Sequence, residues 1–290
     1  MKVLVTGANG YMGTGIVKEL LDDKCDVIAV DFSTDLIDER ACKKSIDLFS
    51  LKNPYEELGE PEVLLHLAWR DGFSHDSINH INDFAKHYNF LTEMMEAGIK
   101  RVCVMGSMHE IGFFEGSIDE NTPANPQSLY GISKNALRNA VQLSAAKTGT
   151  IFQWIRGYYI VGNSEAGSSI FSKITSAVKD GKSEFPFTMG QNQYDFIDYE
   201  DFCKQVAAVV EQDQINGIIN CCSGRPMPLG ERVEKFIRDN NYHIELKYGA
   251  FPDRPYDSKA VWGNSNKIET IMKNKSSILD KLNEGGTCEK

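Results

Sequence analysis

The chain has 290 residues, 41% hydrophobic and 25% charged, a balance that excludes disordered and fibrous proteins and can bury a sizeable core. A formal net charge of −10 argues against a nucleic-acid partner, because acidic surfaces repel phosphate backbones, although an anionic small molecule is still accommodated by a few local basic side chains. The seven cysteines, an odd number with no CxxC pair, point away from a zinc or other metal site and toward a reduced, cytoplasmic setting.

Lys2–Thr6 is β-branched and apolar with glycine straight after it, and predicts a buried parallel strand. This apolar stretch breaks too early for a signal peptide, and no run approaches the roughly 18 residues of a membrane span. Thr14–Leu21 carries Ile16, Val17, Leu20 and Leu21 at helical spacing. Asp26–Val30 predicts a second strand ending at Asp31, and Val63–Ala68 a third. Asp83–Ala97 reads as a helix with Phe84, His87, Tyr88, Leu91 and Met95 near one face. Arg101–Gly106 follows as a strand, Tyr130–Thr148 as a long helix and Ile151–Arg156 as a strand. Strands alternating with helices give βαβ units, and right-handed crossovers wind them into a layered parallel sheet.

After about Gly162 the segments shorten and the loops gain Gly, Pro, Asn and Asp. The expected division is residues 1–162 for a dinucleotide-binding domain and 163–290 for a smaller substrate-binding lobe, some of whose segments return to the sheet. Gly190–Tyr194, Arg225–Pro228 and Phe251–Asp257 read as loops carrying specific side chains, and the polar Lys273–Lys290 as a fraying end.

Gly7-Ala8-Asn9-Gly10-Tyr11-Met12-Gly13 falls between the first strand and the first helix. In that context the first glycine permits a tight turn. The second admits a pyrophosphate to the backbone, and the third lets helix and strand pack closely. The helix N-terminus adds free N–H groups for phosphates. The bland alternative is a tight turn with incidental glycines. Asp31 lies 18 residues past Gly13, near the spacing of about 20 for a carboxylate that binds adenosine ribose hydroxyls; otherwise it is a turn or capping aspartate. Together these features predict an α/β, Rossmann-type, doubly wound parallel sheet with a small C-terminal substrate-binding lobe.

Tyr130-Gly131-Ile132-Ser133-Lys134 sets a tyrosine and a lysine on one helix face. A phenol with a pKa near 10 is a poor base at neutral pH, and a neighbouring ammonium is expected to lower it. Ser107, ending a strand, lies where ligands bind in open parallel sheets and can hydrogen-bond a carbonyl oxygen.

These residues together resemble the extended short-chain dehydrogenase/reductase family, in its nucleotide-sugar branch. The pattern G-x-x-G-x-x-G matches, as do Tyr130, Lys134 and Ser107, the last five residues before Gly112. His66-Leu67-Ala68, Asp47-Leu48, Tyr194-Asp195-Phe196-Ile197-Asp198 and Arg254-Pro255-Tyr256-Asp257 follow in the family's order. The resemblance implies NAD in preference to NADP. It implies a cofactor site of Gly7, Asn9, Gly10, Tyr11, Met12, Gly13, Asp31, Phe32, Asp47, Leu48, Leu67, Ala68, Trp69, Tyr130, Lys134 and Tyr158. It also implies Ser107, Met108, His109, Tyr159 and Arg254 toward the substrate. Catalysis falls to Ser107, Tyr130 and Lys134.

The departures narrow the reaction. Sugar dehydratases of this branch carry Thr-Asp-Glu where this chain has Ser107-Met108-His109, with Glu110 one place out of register. Tyr159 stands where an asparagine is usual, Tyr194 where an arginine is, and Trp69-Arg70 replaces small residues. The resemblance therefore implies an oxidoreductase acting on a nucleotide-diphosphate sugar, a 4-keto-sugar reductase by length and by the missing dehydratase pair. The alternatives are a 4-epimerase with bound NAD and, from another class, a non-catalytic NAD(P) sensor. A homodimer is expected.

Overall fold

The computed structural model describes residues 1–162, 169–252 and 258–285, with side chains through residue 277. In chain order, β1 (Lys2–Thr6), α1 (Tyr11–Asp22), β2 (Asp26–Asp31), β3 (Cys42–Ser45), α2 (Pro54–Glu57) and β4 (Val63–His66) come first. Next come α3 (Asn79–Asn82), α4 (Phe84–Glu96), β5 (Arg101–Ser107), β6 (Gly116–Ile118), α5 (Leu129–Thr148) and β7 (Ile151–Gly157). Then follow β8 (Tyr159–Val161), α6 (Ile170–Lys179), β9 (Glu184–Pro186), β10 (Gln193–Asp198), α7 (Tyr199–Glu211) and β11 (Gly217–Cys221). The remainder is β12 (Pro226–Pro228), α8 (Leu229–Asp239), β13 (Glu245–Lys247), β14 (Ala260–Gly263) and α9 (Asn266–Gly285).

Seven strands form one parallel sheet in the order β11-β7-β5-β4-β1-β2-β3. Side chains alternate across a strand, so each strand feeds two cores. Val3 and Val5 of β1, with Val27, Leu65 and Met105, pack against Ile16 and Leu20 of α1 and Phe202 and Val206 of α7. Leu4, Ile28, Leu64, Val102 and Val104 face the other way, against Leu91 and Met94 of α4 and Leu137 and Val141 of α5. Leu4 and Leu64 are wholly buried, and truncating either to alanine costs about 2–5 kcal/mol. The chain winds outward from β1 in both directions, through β2 and β3 on one side and β4 and β5 on the other. The crevice beyond the carboxyl ends of β1 and β4 is thus the topological switch point, where such sheets bind ligands.

The second part is woven from separated segments. β10 pairs in parallel with β8 and β14 and antiparallel with β12, and β14 pairs with β6. Phe171, Ile174, Phe187, Phe196, Val233 and Phe236 make its own small core. β11 returns to the main sheet, and α7 and α9 pack on the α1 side.

Three expectations are corrected. Gln193–Tyr194 and Pro226–Pro228 are not loop: Tyr194 registers with Met227 across an antiparallel pair, and that pairing overrides a loop-like composition. The C-terminal run does not fray at Lys273, because α9 continues to Gly285. Ile268 and Ile271 are buried on it, and the Lys275 ammonium reaches Asp23 at 2.6 Å and Glu211 at 2.8 Å. Among the described residues no helix is long and apolar enough to cross a membrane.

Candidate active site

At the switch point, Gly7 adopts φ +70° and a Cβ there would come within 2.6 Å of the Ala68 nitrogen. A Cβ on Gly13 would overlap the Gly7 carbonyl, so the loop closes as it does only without side chains. Gly10 is the N-cap of α1 and offers no side-chain cap, which leaves the first-turn N–H groups of the helix for an anion. Asp31 is fixed beside this loop: its two carboxylate oxygens accept from the Asn9 N–H (3.0 Å) and the Phe32 N–H (2.7 Å). Asn9 in turn accepts from the Leu36 N–H at 2.8 Å.

A dinucleotide fits this cradle. A dinucleotide 2′-phosphate has no such partner: residues 32–39 contain no lysine or arginine, and Arg40 is spent on Asp22 and Asp38, both at 2.7 Å. Phe32 is exposed beside Asp31. Asp47 is exposed and caps the short turn after β3, accepting from the Phe49 N–H at 3.0 Å. The Leu48 side chain is buried in the core on the α4 side, which leaves its backbone to meet a base there. Leu67 likewise is buried, and its N–H donates to the Thr6 carbonyl at 3.1 Å. Tyr11 and Met12 are half-buried in the first turn of α1; the Tyr11 hydroxyl donates to the Gly162 carbonyl at 2.7 Å, and burial raises its pKa.

The catalytic candidates come from α5 and β5. Ser128 caps α5 by accepting from the Gly131 N–H at 3.1 Å. A Cβ on Gly131 would overlap the His109 carbonyl, so glycine inside the Tyr-x-x-x-Lys segment lets the turn after β5 lie directly on this helix. The Tyr130 N–H donates to the His75 carbonyl at 2.8 Å. Four rings enclose its phenol: His75 stacked at 5.1 Å and 13°, His80 at 5.3 Å, and His109 and Trp69 each at 6.3 Å.

Burial pushes the phenol up to about 12, the hydrogen bond from Ser107 working the other way. Lys134 is buried, donates to the Met105 carbonyl at 2.7 Å and stands 3.9 Å above the Trp69 ring centre. Desolvation lowers it to about 7. The expectation that Lys134 draws the phenol down is therefore not met in the protein alone. Its ammonium is itself desolvated, is engaged elsewhere, and lies 6.0 Å from the phenol ring centre.

The Ser107 hydroxyl oxygen accepts from the His109 N–H at 3.2 Å, and its proton is directed at the Tyr130 phenol. Glu110, nearest in sequence to the dehydratase pair, is wholly buried and points away from the crevice. It accepts from Trp154 Nε1 (2.8 Å) and Arg156 Nε (3.1 Å), and Arg138 Nε lies 3.3 Å from its other oxygen.

Met108 and Tyr158 are buried together with Ile111, Ile118, Cys222 and Val261. The β8 and β14 segments fold over them, with Gly263 closing against the Tyr158 ring. Tyr159 remains half-buried at the rim, its ring 4.7 Å from Tyr194 and 5.8 Å from Phe196. Asp195 is a tie rather than a ligand: wholly buried, it accepts from the N–H groups of Ser223, Gly224 and Gly263 and from the Ser223 hydroxyl. Arg254 lies outside the described residues.

Sequence reasoning missed His75, His80 and a buried chain in which Thr6 Oγ1 meets His66 Nδ1 at 2.8 Å and His66 Nε2 meets His87 Nδ1 at 2.9 Å. One signal was available: five of the six histidines fall between residues 66 and 109.

Residues 3–222 match the model of the NAD dependent epimerase/dehydratase family. The chain belongs to that family. It is thus an enzyme of the NAD-dependent short-chain dehydrogenase/reductase type. It is 43% identical over 269 residues to a dTDP-6-deoxy-L-talose 4-dehydrogenase (NAD(+)) of Aggregatibacter actinomycetemcomitans, covering 91% of this chain and 99% of that one. A putative UDP-glucose 4-epimerase of Methanocaldococcus jannaschii is 26% identical, covering 93% of this chain and 92% of that one. Among solved structures, a UDP-N-acetylglucosamine 4-epimerase from Methanobrevibacter ruminantium has the same fold, with a TM-score of 0.81 at 21% identity over 93% of this chain and 91% of that one.

Proposed function

We propose that the chain interconverts a 4-keto sugar and its C4 alcohol on a dTDP-linked 6-deoxyhexose, with NAD(H) as the hydride partner. The observation that carries this reading is full-length kinship at 43% identity with a 4-dehydrogenase acting on such a sugar. The sequestration of Glu110 supports it. With that carboxylate held by Trp154, Arg156 and Arg138, the turn after β5 offers Ser107 and His109 to the crevice but no acid/base carboxylate pair for eliminating water.

A bound nicotinamide ring would supply or accept the hydride at the sugar carbon. Tyr130, kept protonated at neutral pH by burial, gives its proton to the ketone oxygen and takes it back in the reverse sense. With substrate in place, Ser107 turns its hydroxyl proton to the same oxygen in a hydrogen bond. Lys134 stabilises the phenolate left behind. Tyr159 and Tyr194 are assigned to the sugar side of the crevice, and the resemblance assigns Arg254 to the diphosphate.

Incubating the enzyme with NAD+ and candidate nucleotide-linked 6-deoxyhexoses tests the reading. NADH should accumulate mole for mole with a 4-keto product, and fastest with the dTDP sugar. Conversion to the C4 epimer without net NADH would make it an epimerase instead.

A further inference from the structure

Trp69 follows β4 in the chain, and the structure gives it more partners than a space-filling residue needs. Its indole N–H donates to His80 Nδ1 at 3.0 Å. That bond fixes the His80 tautomer, because Nε2 must then donate to the Ser74 carbonyl at 3.0 Å. The His87 ring stacks on the indole at 4.5 Å and 22°. The Lys134 ammonium lies 3.9 Å from the indole centre, and the Tyr130 ring meets it edge-on at 6.3 Å. One side chain therefore touches both members of the Tyr130–Lys134 pair and is locked by two histidines.

We propose that Trp69 is a positioning residue for catalysis, whose ring holds the buried Lys134 ammonium in its charged form and in place beside Tyr130. The identity of the reaction rests on the function proposed above; the hold on Lys134 does not.

The argument is electrostatic. Lys134 is buried, and its only hydrogen bond among those described is to the Met105 carbonyl. The titratable groups that face it are Glu110 from the turn after β5, Tyr130 on its own helix, His66 from β4 and His87 from α4. Only Glu110 favours its charge, and that carboxylate is already shared by Trp154, Arg156 and Arg138. The two histidines are kept neutral by burial, so they neither repel nor neutralise it at neutral pH. A desolvated ammonium over an indole face is where a cation–π contact is strongest. The ring thereby offsets part of the desolvation that pulls Lys134 down to about 7. The rigid indole also spares the lysine's flexible chain from finding its own position.

The test uses the whole protein without cofactor, labelled with lysine carrying 13C at Cε and 15N at Nζ, and reads the titration of Lys134, identified by its loss in Lys134→Arg. Trp69→Leu keeps an apolar filler and removes the ring. The Lys134 pKa should fall by about 1 unit, a tenfold weaker hold on the proton. Trp69→Phe keeps a weaker ring and should fall by about half as much. If the leucine variant does not fold, the phenylalanine variant alone carries the same sign. An unmoved or raised Lys134 pKa in the folded variants overturns the proposal.

A kinetic arm separates the two claims. With NAD+ and a dTDP-6-deoxyhexose, kcat at neutral pH should drop about fivefold in Trp69→Leu, with partial rescue in Trp69→Phe. Wild-type enzyme inert on every such sugar, with the Lys134 titration still lowered by the substitutions, would remove the substrate assignment and leave the role of Trp69 standing. Active wild type with an unmoved titration would do the reverse.

Discussion

The two halves of the crevice are built from opposite materials. On the cofactor side, three of the seven residues from Gly7 to Gly13 are glycine, so the loop presents backbone N–H groups, with Asp31 as its main charged group. On the catalytic side, Tyr130 and Lys134 are sunk among rings, His75, His80, His109 and Trp69, and the nearest carboxylate is locked away. The difference is one of what each site must do. A diphosphate needs many weak donors at fixed positions, which main chain supplies without side-chain entropy. A proton donor needs a dielectric that holds its pKa away from water's influence, which only packed rings and burial supply.

The comparison breaks first at Glu110 if it is wrong. Glu110→Ala leaves Arg156 buried with its charge uncompensated, and should cost about 3–5 kcal/mol of stability by denaturant unfolding. A cost below about 1 kcal/mol would mean that the carboxylate does not hold the catalytic turn in place. Next in size is Tyr130→Phe. Turnover should fall by a factor on the order of 10² or more, about 2.7 kcal/mol, while NAD affinity stays near wild type, because the cradle for the dinucleotide uses no phenol oxygen. Unchanged turnover would remove Tyr130 as the proton donor.

The buried imidazoles sharpen the contrast through pH. His87 is lowered to about 3 and His109 to about 4, chiefly by burial, and His66 is lowered well below its ordinary value. Their folded values lie below the unfolded value of about 6.5, so between those limits the unfolded chain binds more protons than the folded one. Stability therefore falls as pH drops from about 6.5 toward 4. His87→Gln should flatten that fall by up to about one proton, roughly 1.4 kcal/mol per pH unit. A fall equally steep in the variant would place its origin elsewhere.

The smallest expected effect lies on the cofactor side. Asp31→Ala should weaken NAD binding about tenfold and leave NADP binding little changed, narrowing the preference, as read by a pair of dissociation constants at fixed ionic strength. Tighter NADP binding by the wild-type protein would contradict the role given to Asp31.

How much of this was legible follows from how far apart the partners lie in the chain. The glycine loop, Asp31 and the Tyr130–Lys134 pair are set by local spacing, so periodicity and motif order revealed them. Five of the sheet's seven strands were legible for the same reason, whereas the polar edge strand β3 and the returning strand β11 were not. The fate of Glu110 was not, because Trp154 and Arg156 come from β7, 44 and 46 residues away. Nor was the cage around Tyr130, since His75 and His80 arrive from the segment before α4, 50 or more residues upstream. Nor was the packing around Tyr158, since Cys222 and Gly263 come from 64 and 105 residues downstream. The polar C-terminal run looked loose because its anchors, Asp23 and Glu211, are distant in sequence.

The claim on which the rest depends is that the crevice moves a hydride from C4 of a sugar to NAD and releases it as NADH. A dTDP-6-deoxyhexose carrying deuterium at C4 tests it, with mass spectrometry of both products after incubation with the enzyme and NAD+. The account predicts one deuterium on the released NADH and a 4-keto sugar that has lost it. Deuterium retained on the sugar, or returned to C4 with inverted configuration and no NADH released, would contradict it.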